Sequence, residues 1–279
     1  MYCRSAVGIV ASILMLFGDI NRTKAWDDAK YPDLNGQWVR TGRGGTFDPT
    51  KPGGRGQQPP LTPEYQAVWE ANQAEARTGG QAYNPQAHCL PGGMPRMMIP
   101  YEPMEVIVTP DITYIQFSFN NEFRRIYTDG RDWPDEPQLS FSGYSIGRWT
   151  STDADGRYDV LDVETRDMKG PRTFDATGIP THKDNQTIVK ERFYLDKTDP
   201  DTLHDDITTL DHALTRPWTV NRWFHRLRNP TWVEHICAEG NEYVFIRGDS
   251  FLIAPDGYLM PAKKDQAPPD LRYFSQSKK

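Results

Sequence analysis

From Met104 onward the chain is a succession of short runs rich in β-branched and aromatic residues, broken by turn signals roughly 8–15 residues apart. The runs are Met104–Thr109, Thr113–Phe119, Glu122–Tyr127, Ser140–Trp149, Tyr158–Thr165, Thr187–Tyr194, Thr202–Leu210, Trp218–Leu227, Thr231–Glu239 and Glu242–Ile246. Pro110-Asp111, Asn120-Asn121 and Asp155-Gly156 have hairpin-turn chemistry. No helical period intervenes. The pattern predicts an all-β fold: an antiparallel meander closing into a lipocalin-like barrel, since closure removes exposed edges. A barrel of about 8–10 strands has an interior suited to one small ligand.

The N-terminal part is organised differently. Arg4 and the apolar run Ala6–Phe17 read as an export signal, too short to span a bilayer comfortably, with cleavage expected after Ala25. Residues 26–103 read as an extension. DLNGQWVR supplies a turn and a short strand, and 41–60 is a Gly/Pro-rich wrapping loop. One helix is expected over 62–77: Thr62 caps it, Pro63 suits the first position, and Gly79-Gly80 stops it. The segment 84–103 is broken by prolines yet carries Met94, Met97, Met98, Ile99 and Tyr101, and reads as packed over an opening. The barrel domain is expected over 104–260 and a polar tail over 261–279.

Charge and cysteines narrow the function classes. Losing Arg4, Arg22, Lys24 and Asp19 with the signal takes the net charge from −6 to −8, which disfavours nucleic acid as a partner. No later apolar run reaches membrane length. Cys3 leaves with the signal, so Cys89 and Cys237 remain, and an oxidising compartment favours a disulfide between them. The expected location is periplasmic or secreted. No HExxH, Cys-rich or nucleotide-binding motif occurs, so no metal and no cofactor is expected.

Several runs place an ionisable residue among apolar neighbours at strand spacing. In NEFRRIYTDGR, Arg125 alternates with Phe123 and Tyr127, a face expected to point inward; a buried guanidinium there needs an ion partner or a ligand. Glu191 alternates with Val189 and Phe193, Asp205 with Leu203 and Ile207, and Glu105 with Ile107. Glu234, His225 and Tyr144 are placed similarly. Such groups on adjacent strands imply a shared polar cluster inside the barrel, which serves either as a site or as a structural core. His182 sits in a loop. Gly143-Tyr144-Ser145-Ile146-Gly147 matches GxSxG as a string but lacks the helix a nucleophile elbow requires.

The ordered strings CLPGGMPRMM, RRIYTDGR, SGYSIGRW, ERFYL, TRPWTV and EHICAE resemble a large group of exported bacterial proteins, frequent in sphingomonads and other degraders of aromatic compounds. The resemblance covers about residues 89–239. It implies turnover of plant-derived phenolic dimers, including cofactor-free loss of a small fragment such as formaldehyde. The motif residues here are Arg124, Arg125, Asp129, Arg131, Tyr144, His182, Glu191 and Glu234. The chain departs from the group in carrying Tyr144 where relatives have His, and in a longer turn over 151–157.

Together these readings predict a cofactor-independent lyase or isomerase acting on a small aromatic or phenolic molecule in the barrel. Glu191 or His182 is the expected base, Tyr144 the donor and Arg125 the anion partner. Arg124, Asp129, Arg131, Glu105, Met97, Met98, His225 and Glu234 are expected to line the site. A lipocalin-like carrier of a hydrophobic ligand is the alternative.

Overall fold

The computed structural model describes residues 27–42, 45–78, 83–153, 156–237, 243–247, 249–254 and 256–270. The segment read as an export signal therefore lies outside the described residues. Nine strands close a barrel in chain order: β1 (Gly36–Arg40), β2 (Met104–Val108), β3 (Ile112–Phe117), β4 (Phe123–Tyr127), β5 (Tyr144–Thr150), β6 (Val160–Arg166), β7 (Ile188–Leu195), β8 (Thr202–Leu210) and β9 (Trp218–Arg226). β9 returns to pair with β1. The all-β, lipocalin-like barrel expected from the sequence is present.

Four details differ from the expectation. β1 comes from the segment read as an extension, so the barrel does not begin at Met104. The strand ladder is not a pure antiparallel meander. β4 and β5 run parallel, joined by a long connection over 128–143, and pair only through Ile126 with Ser145 and Tyr127 with Ile146. The described part of Thr231–Glu239 is not a strand; His235 makes one bridge, to Phe119. Finally, β10 (Tyr243–Ile246), β11 (Asp249–Ile253) and β12 (Leu259–Pro261) form a separate three-stranded sheet.

The single α-helix among the described residues, α1 (Pro63–Arg77), has the predicted bounds. The Thr62 side chain accepts a hydrogen bond from the Tyr65 N–H at 3.4 Å, satisfying one of the free donors of the first turn. Tyr65 and Trp69 bury its apolar side. Among the described residues no helix is long and apolar enough to cross a membrane. A Cys89–Cys237 disulfide, with Cα atoms 5.4 Å apart, ties the proline-rich segment to the chain beyond β9.

The thinly paired β4–β5 seam has a second fastening. Arg124 points inward from β4 and donates to both carboxylate oxygens of Glu191 on β7, across the interior. Its Nε donates to Ser145 Oγ on β5 at 3.1 Å, and its Nη2 to Thr165 Oγ1 on β6 at 2.7 Å. One guanidinium thus links four consecutive strands. Breaking a buried pair strands a charge without solvent and costs about 3–5 kcal/mol, whereas replacing both partners with apolar groups is close to neutral. Arg124→Ala is expected to lower unfolding stability by that amount in urea titrations, and Arg124→Leu combined with Glu191→Leu to recover most of it. An Arg124→Ala protein as stable as the parent would contradict this role.

Candidate functional site

The barrel interior is the first place to look for a site, and it is built as a packed polar core. Glu191 faces inward as expected, but Arg124 takes up its charge. Trp38, Met94, Met98, Met104, Phe174 and Phe224 are fully buried in the core. Met98 lies inside, its Sδ 3.8 Å from Arg124 Nη1. Arg222 enters from β9 and donates to the backbone carbonyls of Thr46 and Phe47, holding the Gly/Pro-rich loop against the barrel. Burial pulls the Arg222 guanidinium down to about 10, which still leaves it charged at neutral pH.

Asp205 also faces inward, with no exposure and no hydrogen-bond partner on either oxygen. Burial pushes its carboxyl well above the ordinary range, and the Glu191 charge adds to this; Arg124 and Arg222 offset it only in part.

The GxSxG string has a structural explanation. Gly143 turns the chain at φ +72°, and a Cβ there would lie 2.5 Å from the Arg166 carbonyl oxygen. Ser145 is fully buried and bonded to Arg124 and Thr165. Gly147 leaves room for Ile126, whose Cγ2 would lie 2.6 Å from an added Cβ.

The other expected site residues are dispersed. On β4 the inward residues are Arg124 and Ile126; Phe123 and Arg125 are exposed and Tyr127 is half-buried. The face assigned to the interior is therefore the outer one. Glu105 and His225 also lie on the outer wall, where the inward positions of their strands are taken by Met104, Val106, Arg222 and Phe224. Glu234 is exposed in an irregular segment. His182 sits in the connection between β6 and β7, in neither the interior nor the β4–β5 region.

What the fold does bring together is an outer groove of about 620 Å³ beside the β4–β5 seam. Only the C-terminal residues of β4, Ile126 and Tyr127, pair with the start of β5, and the N-terminal part of β4 borders a recess shared with the segment 138–144. Phe123, Phe141, Tyr127 and Tyr144 supply ring surface; Arg125 and Lys169 supply positive charge; Met97 lies at the floor. Arg125 lies 4.4 Å from the Phe123 ring centroid, and Lys169 Nζ 5.2 Å from that of Phe141.

Tyr127 and Tyr144 stack at 5.0 Å. Arg131 covers Tyr127 at 3.8 Å and donates to the Tyr144 hydroxyl at 3.4 Å. Asp129 holds Arg131 in place through its Nε, at 2.9 Å. Asp129, Arg131, Tyr144 and Arg125 thus lie close together on the outside of the barrel wall, not in the interior where the sequence reading placed them.

Sequence reasoning missed three members of this groove: Glu122, Phe141 and Lys169. Burial raises the Glu122 carboxyl above its ordinary value, opposed by the Gly92 N–H, which donates to it at 3.1 Å, and by the Arg96 charge. The signal that pointed to it was its position immediately before Phe123, at the lip of the Asn120-Asn121 turn. That cue is too common to single out a residue.

Asp205 gives the interior a pH signature. Its folded pKa is raised, so the folded chain holds a proton that the unfolded chain releases above about pH 4. Stability is expected to fall as pH rises from that value through the raised pKa. In Asp205→Asn the decline should be reduced, as read from urea midpoints across this range. Parallel pH profiles for the two proteins would contradict it. No protein-family model matches this chain, and no curated protein is significantly similar to it.

Proposed function

We propose that this is an exported, cofactor-independent acid–base enzyme, a lyase or isomerase, acting on a small aromatic or phenolic anion bound in the β4–β5 groove. The observation that carries the reading is the convergence of two cations, four aromatic rings and a carboxyl of raised pKa on one recess. Ring surface suits a flat aromatic body, and Arg125 and Lys169 suit a phenolate or carboxylate. Export accords with the Cys89–Cys237 bond, which persists in oxidising compartments.

The chemistry assigned to the groove is short. A carboxylate whose pKa is raised toward neutrality is a better proton acceptor than an ordinary one. The bound phenolate pushes electrons to its benzylic carbon and expels the hydroxyl there, which Tyr144 protonates to water, leaving a quinone methide. Glu122 then takes the proton of a side-chain hydroxyl and returns it to Tyr144. The C–O bond becomes a carbonyl as the adjacent C–C bond breaks. The freed electron pair passes into the ring as a phenolate, which Arg125 and Lys169 neutralise. The Tyr144 hydroxyl is positioned by Arg131 and serves as a proton donor.

One observation favours the carrier alternative. The Glu122 carboxylate already accepts from Gly92, and Tyr144 from Arg131, so both polar groups also have structural partners.

Incubating the mature protein with a panel of phenolic dimers, followed by mass spectrometry, separates the two. An enzyme yields product masses, and Glu122→Gln lowers turnover about 100-fold or more while still binding. A carrier returns the ligand unchanged. In either case Arg125→Ala is expected to weaken binding about 10- to 100-fold in tryptophan-quench titrations. Unaltered affinity in that variant would remove the groove from consideration.

A further inference from the structure

Two histidines from different connections meet beside α1. His182 and Asp184 belong to the connection before β7, and His212 to the connection between β8 and β9. One donor atom from each lies within 4.8 Å of the others. Asp184 Oδ2 is 3.0 Å from His182 Nδ1 and 2.5 Å from His212 Nδ1. We propose that these three side chains form a binding site for a divalent transition metal ion of the zinc class.

Three observations support this. The first is spacing. Zinc holds imidazole nitrogen and carboxylate oxygen at about 2.0–2.2 Å, so neighbouring donors in a tetrahedral site stand about 3.3 Å apart. The 3.0 Å separation from Asp184 to His182 is slightly shorter than that and the 2.5 Å one to His212 clearly so, and an outward rotation of the exposed His212 side chain admits the ion.

The second is a conflict over one nitrogen. The Asp184 backbone N–H donates to His182 Nδ1 at 3.2 Å, so that nitrogen presents a lone pair. It also faces the Asp184 carboxylate oxygen at 3.0 Å, which presents only lone pairs when ionised. A single nitrogen cannot accept the one and donate to the other. A metal ion seated between the nitrogen and the carboxylate takes that lone pair in place of the long 3.2 Å N–H contact, and so removes the opposition.

The third is preorganisation. Asp211 accepts from the backbone N–H of His182 and of Ala213, both at 2.8 Å, and from Thr187 Oγ1 at 2.6 Å. It therefore locks the two connections together before any ion arrives. Tyr65 of α1 packs its ring 5.3 Å from that of His182, fixing one imidazole from behind. The nearby cation Arg172 is engaged with Thr187 Oγ1 at 2.8 Å and the Met94 carbonyl at 3.0 Å.

The donor set decides the metal. Two imidazoles and one carboxylate suit Zn²⁺, Cu²⁺ or Ni²⁺ and disfavour Mg²⁺ and Ca²⁺, which require oxygen ligands. Three protein ligands leave a fourth position for water or a small anion. His182 also lines a cavity of about 250 Å³ with Tyr83, Arg172 and Lys183.

The test is calorimetric titration of chelator-treated, untagged mature protein with zinc chloride, and separately with magnesium chloride. One saturable zinc site per chain is expected, with no magnesium heat and a rise in melting temperature on zinc addition. His212→Ala alters an exposed side chain, 65% accessible, and should keep its metal-free melting temperature while losing at least 100-fold in zinc affinity. Asp184→Asn should lose comparably, and His225→Ala, on the outer wall of β9, should bind as the parent does. Absence of a saturable zinc heat overturns the proposal. So does zinc affinity unchanged in both His212→Ala and Asp184→Asn, which would place the ion elsewhere.

Discussion

The Arg124–Glu191 ion pair is the constraint around which the barrel is arranged. Eight of the nine strand junctions are antiparallel ladders, and the remaining one, β4 to β5, is a parallel contact of two residue pairs. Closing a sheet removes its edges, but a nearly unpaired seam would leave one open. Arg124 sits at that seam and reaches past β5 and β6 to β7. A guanidinium is suited to this task because it is planar, always charged and carries five donors. The bidentate carboxylate satisfies two of its directions and two hydroxyls satisfy others, so desolvation is offset by geometry.

Buried arginines recur in fastening the irregular segments: Arg222 ties one to the barrel, and Arg172 and Arg96 tie others to one another. Arg222 holds the carbonyls of Thr46 and Phe47, Arg172 that of Met94, and Arg96 the side chains of Asn84 and Thr173. Residues 45–60 and 84–103 have few neighbours with which to form ladders, so their carbonyls would be buried without donors. A guanidinium supplies several donors at once along a long side chain. This explains how segments rich in proline and glycine pack tightly against the barrel although neither forms a strand there. Asp205 is the counterpart: an acid with cations nearby and no hydrogen bond, favoured in its neutral form.

The sequence disclosed element type more readily than facing. Thr62 and Pro63 marked the start of α1 because capping is local chemistry. The strands β1 to β10 overlap predicted runs or the short strand at Trp38, because β-branched and aromatic enrichment is also local. Which side of a strand looks inward is not local. On β4 both faces contain an arginine: one set is Phe123, Arg125 and Tyr127, the other Arg124 and Ile126. The aromatic set looked more buried, yet Arg124 is the one enclosed. A shift of one residue in register exchanges the two faces entirely. The same exchange moved Glu105, His225 and Tyr144 from the expected interior to the outer wall, while Glu191 and Asp205 kept their places because valine, phenylalanine, leucine and isoleucine flank them on one side only.

That exchange of faces changes where chemistry has room to occur. Sidedness was wrong for Arg125 and Tyr144, but proximity was right, because strand neighbours stay neighbours whichever face they occupy. An interior filled with methionine, aromatic rings and a satisfied ion pair leaves its charged groups bound to each other. The groups on the outside of the seam have fewer mutual obligations. Arg125 lies over an exposed phenyl ring, and Glu122 is half-enclosed at the edge of a recess. The weak seam is therefore the common origin of both features. Short pairing between β4 and β5 demands the internal clamp of Arg124, and the same short pairing opens the external recess in which Arg125, Tyr144 and Glu122 face solvent and any ligand that enters from it.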